Sequence, residues 1–179
     1  MISSQSKYLL YVVPKKQQES SSQARIYGGY HITLFSDTNL PPDFDMKKMM
    51  KTFNTSNKMW QLPGGSELYD IKSKGLYMIG IISRTLTKLL DHFQEPNGPF
   101  DVENRWEPLH MTLGENRIPE PVSAEDLYDV FMDEKEWYVQ LVKKTPLYKH
   151  SGYDPLHYKW EWLPSQRVPL YHALDIYSE

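Results

Sequence analysis

The 179-residue chain contains no cysteine. The absence of thiols excludes a disulfide framework, a cysteine nucleophile and a zinc site built on thiolates. A long hydrophobic run is missing too, since the apolar stretch at residues 8–13 is bounded by Lys7 and Pro14 and is too short to cross a membrane. That stretch also lacks the small-residue cleavage site of a secretion signal and is expected to form a first strand. We therefore expect a cytoplasmic protein without a membrane partner.

An excess of positive charge is also missing. Lys and Arg number 20 against 23 Asp and Glu, which gives a formal net charge of −3. Proteins that coat long DNA or RNA neutralise many phosphates, so we expect no long nucleic acid as a partner. The chain has no glycine-rich dinucleotide or P-loop fingerprint. A small anionic ligand held by a few local groups is compatible with this charge.

The composition is that of a chain able to bury a core. Hydrophobic residues make up 40% of the sequence, and its 13 tyrosines and 5 tryptophans are a high aromatic content. Aromatic side chains supply core area, and they also offer flat faces on which a nucleobase can stack. The length favours one domain over residues 1–179, which we expect to be a monomer.

One five-residue pattern occurs twice in the chain. Residues 30–34 read YHITL, and residues 109–113 read LHMTL. Successive side chains of a β-strand point to opposite faces of the sheet. Each motif would therefore anchor its strand with three apolar side chains and present its histidine and threonine together on the other face.

Apolar periodicity and turn residues predict the elements around the two motifs. Each half of the chain has a motif strand, a helix marked by prolines and then further strands, which predicts an α+β fold. We expect two pseudo-symmetric β-α-β-β lobes with antiparallel sheets around a central cleft, over residues 26–82 and 105–179. The predicted strands are Lys7–Val13, Tyr30–Phe35, Lys58–Leu62, Glu67–Ile71, Leu76–Ile82, Leu109–Leu113, Trp137–Lys143, His157–Trp162 and Tyr171–Tyr177. The predicted helices are Asp43–Asn54, one capped by Ser83 and one that begins at Ser123.

Two histidines and two threonines around one point suit a phosphodiester. Cleavage needs a base for the attacking oxygen and an acid for the leaving oxygen, and histidine, with an unperturbed pKa of about 6.5, serves in either role. We therefore predict that His31 and His110 form an acid/base pair across a shared cleft. The hydroxyls of Thr33 and Thr112 would donate to the non-bridging phosphate oxygens. This chemistry requires no metal ion or other cofactor.

The paired apolar-His-x-Thr-apolar motifs resemble those of the 2H phosphoesterase superfamily, which includes RNA-ligase-like cyclic phosphodiesterases and 2′-5′ oligonucleotide phosphodiesterases. The resemblance covers ten positions and is supported by the element order over most of the chain. It implies a bilobal α+β fold and metal-independent cleavage of 2′-linked or cyclic phosphodiesters. It also implies that His110 is the base, His31 the acid, and Thr33 and Thr112 the phosphate binders. Similar enzymes of viruses destroy nucleotide second messengers of immune signalling.

Within this class we favour cleavage of a 2′-5′ or cyclic oligonucleotide, because the acidic balance disfavours long RNA and the aromatic content suits a few stacked bases. An RNA-end or 2′,3′-cyclic nucleotide phosphodiesterase is one alternative. A non-catalytic nucleotide-binding module is another. Tyr27 and Trp106, which precede the two motifs, are candidates for stacking on a substrate base, with core packing as the alternative role of each.

Overall fold

The computed structural model describes residues 6–15, 30–56, 67–73, 76–94, 99–115, 136–147 and 155–170. Over these residues the protein is α+β, with seven strands and two α-helices. The strands are β1 Lys7–Pro14, β2 Ile32–Thr38, β3 Glu67–Ser73, β4 Leu76–Ile82, β5 His110–Glu115, β6 Trp137–Pro146 and β7 Tyr158–Pro169. The helices are α1 Met46–Ser56 and α2 Arg84–Phe93.

The seven strands form one sheet in the order β3-β4-β5-β2-β1-β6-β7. Every neighbouring pair is antiparallel. The two strands that carry the motifs, β2 and β5, are therefore neighbours near the middle of the sheet, although 71 residues separate the end of one from the start of the other in sequence. This central position gives both motifs a partner strand on each side.

The α+β class is confirmed, and the predicted strands and helices within the described residues are present, most of them with shifted ends. The described residues form a continuous sheet, so the division into two pseudo-symmetric lobes around a cleft stays a prediction. Three predicted elements lie outside the described residues: the strands Lys58–Leu62 and Tyr171–Tyr177 and the helix at Ser123.

The starts of both helices are set by side chains that accept backbone N–H groups. Ser83 is the predicted cap of α2, and its Oγ accepts the N–H of Leu86 at 3.2 Å. The start of α1 lies three residues later than predicted because Asp45 caps it, with Oδ1 accepting the N–H of Lys47 at 3.0 Å. Serine and aspartate are favoured at this position because they satisfy donors that the first helical turn leaves open.

Both helices pack on one face of the sheet and form the main core there. The apolar side chains of each helix recur at intervals of three and four residues, which places them on one side. The strands contribute alternate residues from the same face, as expected for a sheet that is covered on one side. The buried helix residues in this core are Met46, Met50, Phe53, Leu86, Leu89, Leu90 and Phe93. Neither described helix has the length and apolar character needed to span a membrane.

A second, smaller cluster lies on the opposite face of the sheet. It consists of the buried residues Leu9, Tyr11, Val13 and Val142, against which Tyr138, Trp160 and Trp162 pack. Strand β1 is thus apolar on both faces, because its even-numbered residues Leu10 and Val12 belong to the main core. The sequence of β1 is accordingly a continuous apolar run and not an alternating one.

Ile32 tests the core assignment because it is fully buried beneath the junction of β2 and β5. We expect Ile32→Ala to lower the free energy of unfolding by about 2–5 kcal/mol and Ile32→Val by about 0.5–1.5 kcal/mol. Val102→Ala is the matched control; that side chain is 62% exposed, and its loss should change stability by at most about 0.5 kcal/mol. Urea denaturation measures all three, and equal effects of Ile32→Ala and Val102→Ala would contradict the assignment.

Candidate active site

The two motif strands pair directly with each other. Ile32 of β2 lies opposite Met111 of β5 in an antiparallel register. The apolar motif positions described by the structure all point into the main core, as the alternation of side chains requires: Tyr30, Ile32, Leu34, Leu109 and Met111. The side chain of Leu113 lies outside the described part of the chain. The histidines and threonines therefore lie on the face opposite to the helices.

The four polar motif residues form a two-by-two group on that face. Extending the Ile32–Met111 register by one residue in each direction puts His31 opposite Thr112, and Thr33 opposite His110. Residues that lie opposite each other have Cβ atoms about 4.5–5.5 Å apart, and diagonal neighbours are about 7–8 Å apart. The two histidines form one diagonal of the group, with the threonines on the other. All four residues are half-buried.

This arrangement differs in one respect from the expectation that the motif strands face each other across a cleft. They are hydrogen-bonded neighbours in one sheet, so their polar faces lie side by side. An antiparallel pair has a local twofold relation between its strands, which brings each histidine beside the threonine of the other motif.

The ring of His110 has a defined tautomer. Its Nδ1 lies 2.6 Å from the carbonyl oxygen of Pro108. Because a carbonyl oxygen can only accept, Nδ1 must carry the proton of this hydrogen bond. In the neutral imidazole, Nε2 then has the free lone pair and can act as a base.

His31 is held in a different way, by stacking on the ring of Tyr11. The ring centroids are 3.9 Å apart and the planes differ by 13°. Tyr11 is 1% exposed and lies opposite Thr33 in the pairing of β1 with β2. Trp162 also contacts Tyr11, edge to face, with the ring centroids 5.9 Å apart. Tyr11 therefore fixes the plane of the His31 imidazole and belongs to the site, although the motifs do not contain it.

The strand on the other side of β5 contributes a glycine beside His110. Gly80 of β4 lies opposite His110 and, on its other side, opposite Tyr69 of β3. A Cβ added to Gly80 would lie within 2.6 Å of three ring carbons of Tyr69. The ring of Tyr69 thus covers Gly80, one strand away from His110. A single glycine inside an apolar strand indicates that another group approaches the strand closely. Gly80 is therefore the sequence feature from which the position of the Tyr69 ring could have been inferred.

The two aromatic residues predicted to flank the motifs have different outcomes. Trp106 is 46% exposed, so core packing is the wrong role for it, and its indole is accessible to a ligand. Its backbone N–H donates to the carbonyl of Leu34 at 3.0 Å, which fixes this segment beside β2. Tyr27 lies outside the described residues.

Two cations lie on β6 and β7, on the side of the sheet beyond β1. The Nζ of Lys144 is 3.0 Å from the carboxylate of Asp37 and 4.2 Å from the ring centroid of Tyr158. Arg167 lies over the ring of Tyr138 at 4.3 Å. Both cations are already engaged within the protein, and the strands that carry them are separated from β2 by β1. No three His, Asp or Glu side chains in the described ranges are grouped so that they could hold a metal ion.

No family model matches the chain, and neither a curated protein nor a solved structure matches it. The functional interpretation therefore depends on the residues of the site and their geometry.

The His110 tautomer can be measured directly. We expect the neutral imidazole to carry its proton on Nδ1, because the Pro108 carbonyl accepts from that atom. Two-dimensional ¹⁵N–¹H spectra that report the protonation of each ring nitrogen would show a protonated Nδ1 and an unprotonated Nε2 at high pH. His110→Gln identifies the signals, and a proton on Nε2 in the neutral form would contradict the base role of that nitrogen.

Proposed function

We propose that this protein is a metal-independent 2H-type phosphodiesterase that cleaves a 2′-5′ or cyclic oligonucleotide. The observation that carries the proposal is the pairing of Ile32 with Met111, because the same register sets the two motif histidines on one diagonal and the two threonines on the other. A phosphate between the imidazoles would then have a titratable nitrogen on each side. Both hydroxyls would be within reach of its non-bridging oxygens.

In the proposed reaction His110 is the base and His31 the acid. Nε2 of His110 removes the proton from the attacking water or ribose hydroxyl as the new P–O bond forms. The protonated imidazole of His31 gives its proton to the leaving oxygen as the old P–O bond breaks. The Nδ1–H of His110, held by the Pro108 carbonyl, supports this assignment because it leaves Nε2 free to accept.

Thr33 and Thr112 have the phosphate-binding role in this proposal. Each hydroxyl lies beside the histidine of the opposite motif and can donate to an oxygen that gains charge in the transition state. The histidines supply both the acid and the base, so no proton transfer in the scheme requires a metal ion. The proposed substrate is small, in keeping with the net charge of −3.

The two strands in the middle of the sheet, β2 and β5, support the proposal. In a 2H enzyme with two pseudo-symmetric lobes, β2 and β5 would be the equivalent strands of the lobes. Their antiparallel pairing in mid-sheet has a local twofold that is compatible with such a relation.

Removal of either histidine should abolish most of the activity. We expect His31→Ala and His110→Ala each to reduce kcat by at least about 100-fold, because each removes one of two proton transfers. His92→Ala is the control, since His92 lies on α2 and its ring contacts the carbonyl of Met49 in the helical layer, with 2.7 Å from Nε2 to the oxygen. That variant should keep its activity.

The assay is a substrate panel of 2′-5′ and 3′-5′ oligoadenylates, cyclic di- and trinucleotides and 2′,3′-cyclic AMP, each with and without EDTA. Full activity of both motif variants would overturn the site, and loss of activity on chelation would overturn the metal-free mechanism. Cleavage of 2′,3′-cyclic AMP alone would favour the end-processing alternative. Binding without turnover, unchanged by His31→Ala, would favour a binding module.

The threonines are tested by a change that keeps their shape. We expect Thr33→Val and Thr112→Val each to lower kcat/KM by about 10- to 100-fold, because each loses one hydrogen bond to a charged oxygen. Thr33→Ser and Thr112→Ser retain the hydroxyl and should recover most of the activity. If the valine variants equal the wild type, the threonines do not bind the phosphate.

A further inference from the structure

We propose that Tyr69 is the residue on which a substrate nucleobase stacks, on the His110 side of the scissile phosphate. This inference rests on the proposed function and adds to it the position of one nucleoside. It assigns a specificity-determining role to a residue outside both motifs. The geometry of β3, β4 and β5 carries it.

Tyr69, Gly80 and His110 lie in one row across the sheet. Tyr69 is opposite Gly80 in the pairing of β3 with β4, and Gly80 is opposite His110 in the pairing of β4 with β5. Residues that lie opposite each other share a face, so the row is on the same face as the four polar motif residues. Since Gly80 has no side chain, nothing from β4 stands in this row between the tyrosine ring and the histidine.

The ring of Tyr69 lies flat over Gly80. The position of an added Cβ falls within 2.6 Å of Cζ, Cε1 and Cε2 together. A point in the plane of the ring beyond its end could not be that close to all three atoms, so the glycine lies beneath the face of the ring. These carbons form the hydroxyl-bearing end of the side chain. The ring therefore extends from β3 across β4, with its hydroxyl end leading toward β5.

The opposite face of the same ring is accessible. Tyr69 is 37% exposed, although one face is covered by the strand backbone. A rigid aromatic face that is already ordered in the free protein is a favourable platform for a base, because little side-chain freedom is lost on binding. Its neighbour in the row is the proposed catalytic base, so a nucleoside attached to the phosphate at His110 would be brought to this face.

The inference predicts that Tyr69 affects binding and not the chemical step. On the shortest oligonucleotide of the panel that the wild type cleaves, Tyr69→Leu should raise KM by about 10- to 100-fold, the effect of losing one stacked base. Its kcat should change by less than about threefold, since both histidines are intact. Tyr69→Trp and Tyr69→Phe retain an aromatic face and should stay within about threefold of the wild-type KM. These variants also show whether the position tolerates replacement.

A second test removes the base instead of the residue. The same oligonucleotide is made with an abasic ribose on either side of the cleaved linkage in turn. For the wild type, the KM of one of the two abasic compounds should exceed that of the intact oligonucleotide by the same factor that Tyr69→Leu causes. The Tyr69→Leu variant should have the same KM for that abasic compound and for the intact oligonucleotide. Such coupling is expected of two groups in contact and not of a merely structural tyrosine.

Gly80→Ala gives a third measurement. The added methyl group would displace the ring of Tyr69, so KM should rise in the wild-type background and change little further in the Tyr69→Leu background.

The outcomes separate this inference from the function on which it rests. If the wild type cleaves an oligonucleotide and Tyr69→Leu has the same KM for it, the stacking role is overturned. The phosphodiesterase proposal then still stands. If each abasic compound raises KM by the same factor in Tyr69→Leu as in the wild type, the stacking role is overturned as well. A wild type that cleaves no member of the panel overturns the proposed function, and the assignment of Tyr69 falls with it.

Discussion

The pairing of β2 with β5 is the contact on which the candidate site depends. Ile32 and Met111 meet on the core side of these two strands, where Ile32 is fully buried and Met111 is 4% exposed. The side-chain period of a strand is two, so a shift of one residue in this register would turn one motif's apolar residues to the opposite face. Burial of the apolar residues beneath the helices thus keeps the histidines and threonines on the other face. The same hydrophobic contact that stabilises the centre of the sheet also positions the polar group.

The strands next to this pair orient the two histidines by different contacts. On one side, β1 provides Tyr11, whose ring stacks on His31 and is itself buried by the second cluster. On the other side, β4 provides Gly80, which lies opposite His110 and is covered by the ring of Tyr69. The ring of His110 is instead held by the hydrogen bond of Nδ1 to the Pro108 carbonyl, within its own segment. The two histidines, which are chemically identical groups, therefore have unlike surroundings.

The sequence predictions that the structure confirms concern local secondary structure. The cap of α2 at Ser83 and the strand Leu76–Ile82 follow from the chemistry of a few adjacent residues, and both are present as predicted. The helix predicted from Asp43 begins at Met46 because the carboxylate of Asp45 accepts the N–H of Lys47. Two aspartates two residues apart offer the same capping group, so the sequence does not decide between them. Core packing is one of the two roles that the sequence offers for Trp106, and it is wrong because the side chain is 46% exposed. That exposure depends on chain packing that the neighbours of Trp106 in sequence do not reveal.

The sequence by itself determined which side chains of each motif share a face, since that follows from the two-residue period of a strand and the apolar character of alternate positions. It also determined that one chain contains two such histidines and two such threonines. Only the tertiary structure decided that the two motif strands are neighbours in one sheet, and that Tyr11 and Tyr69 flank them. These relations join residues up to 81 positions apart, from His31 to Thr112. Strand order is selected by burial of the whole apolar face against the helices, a property of all seven described strands together and not of any five-residue segment.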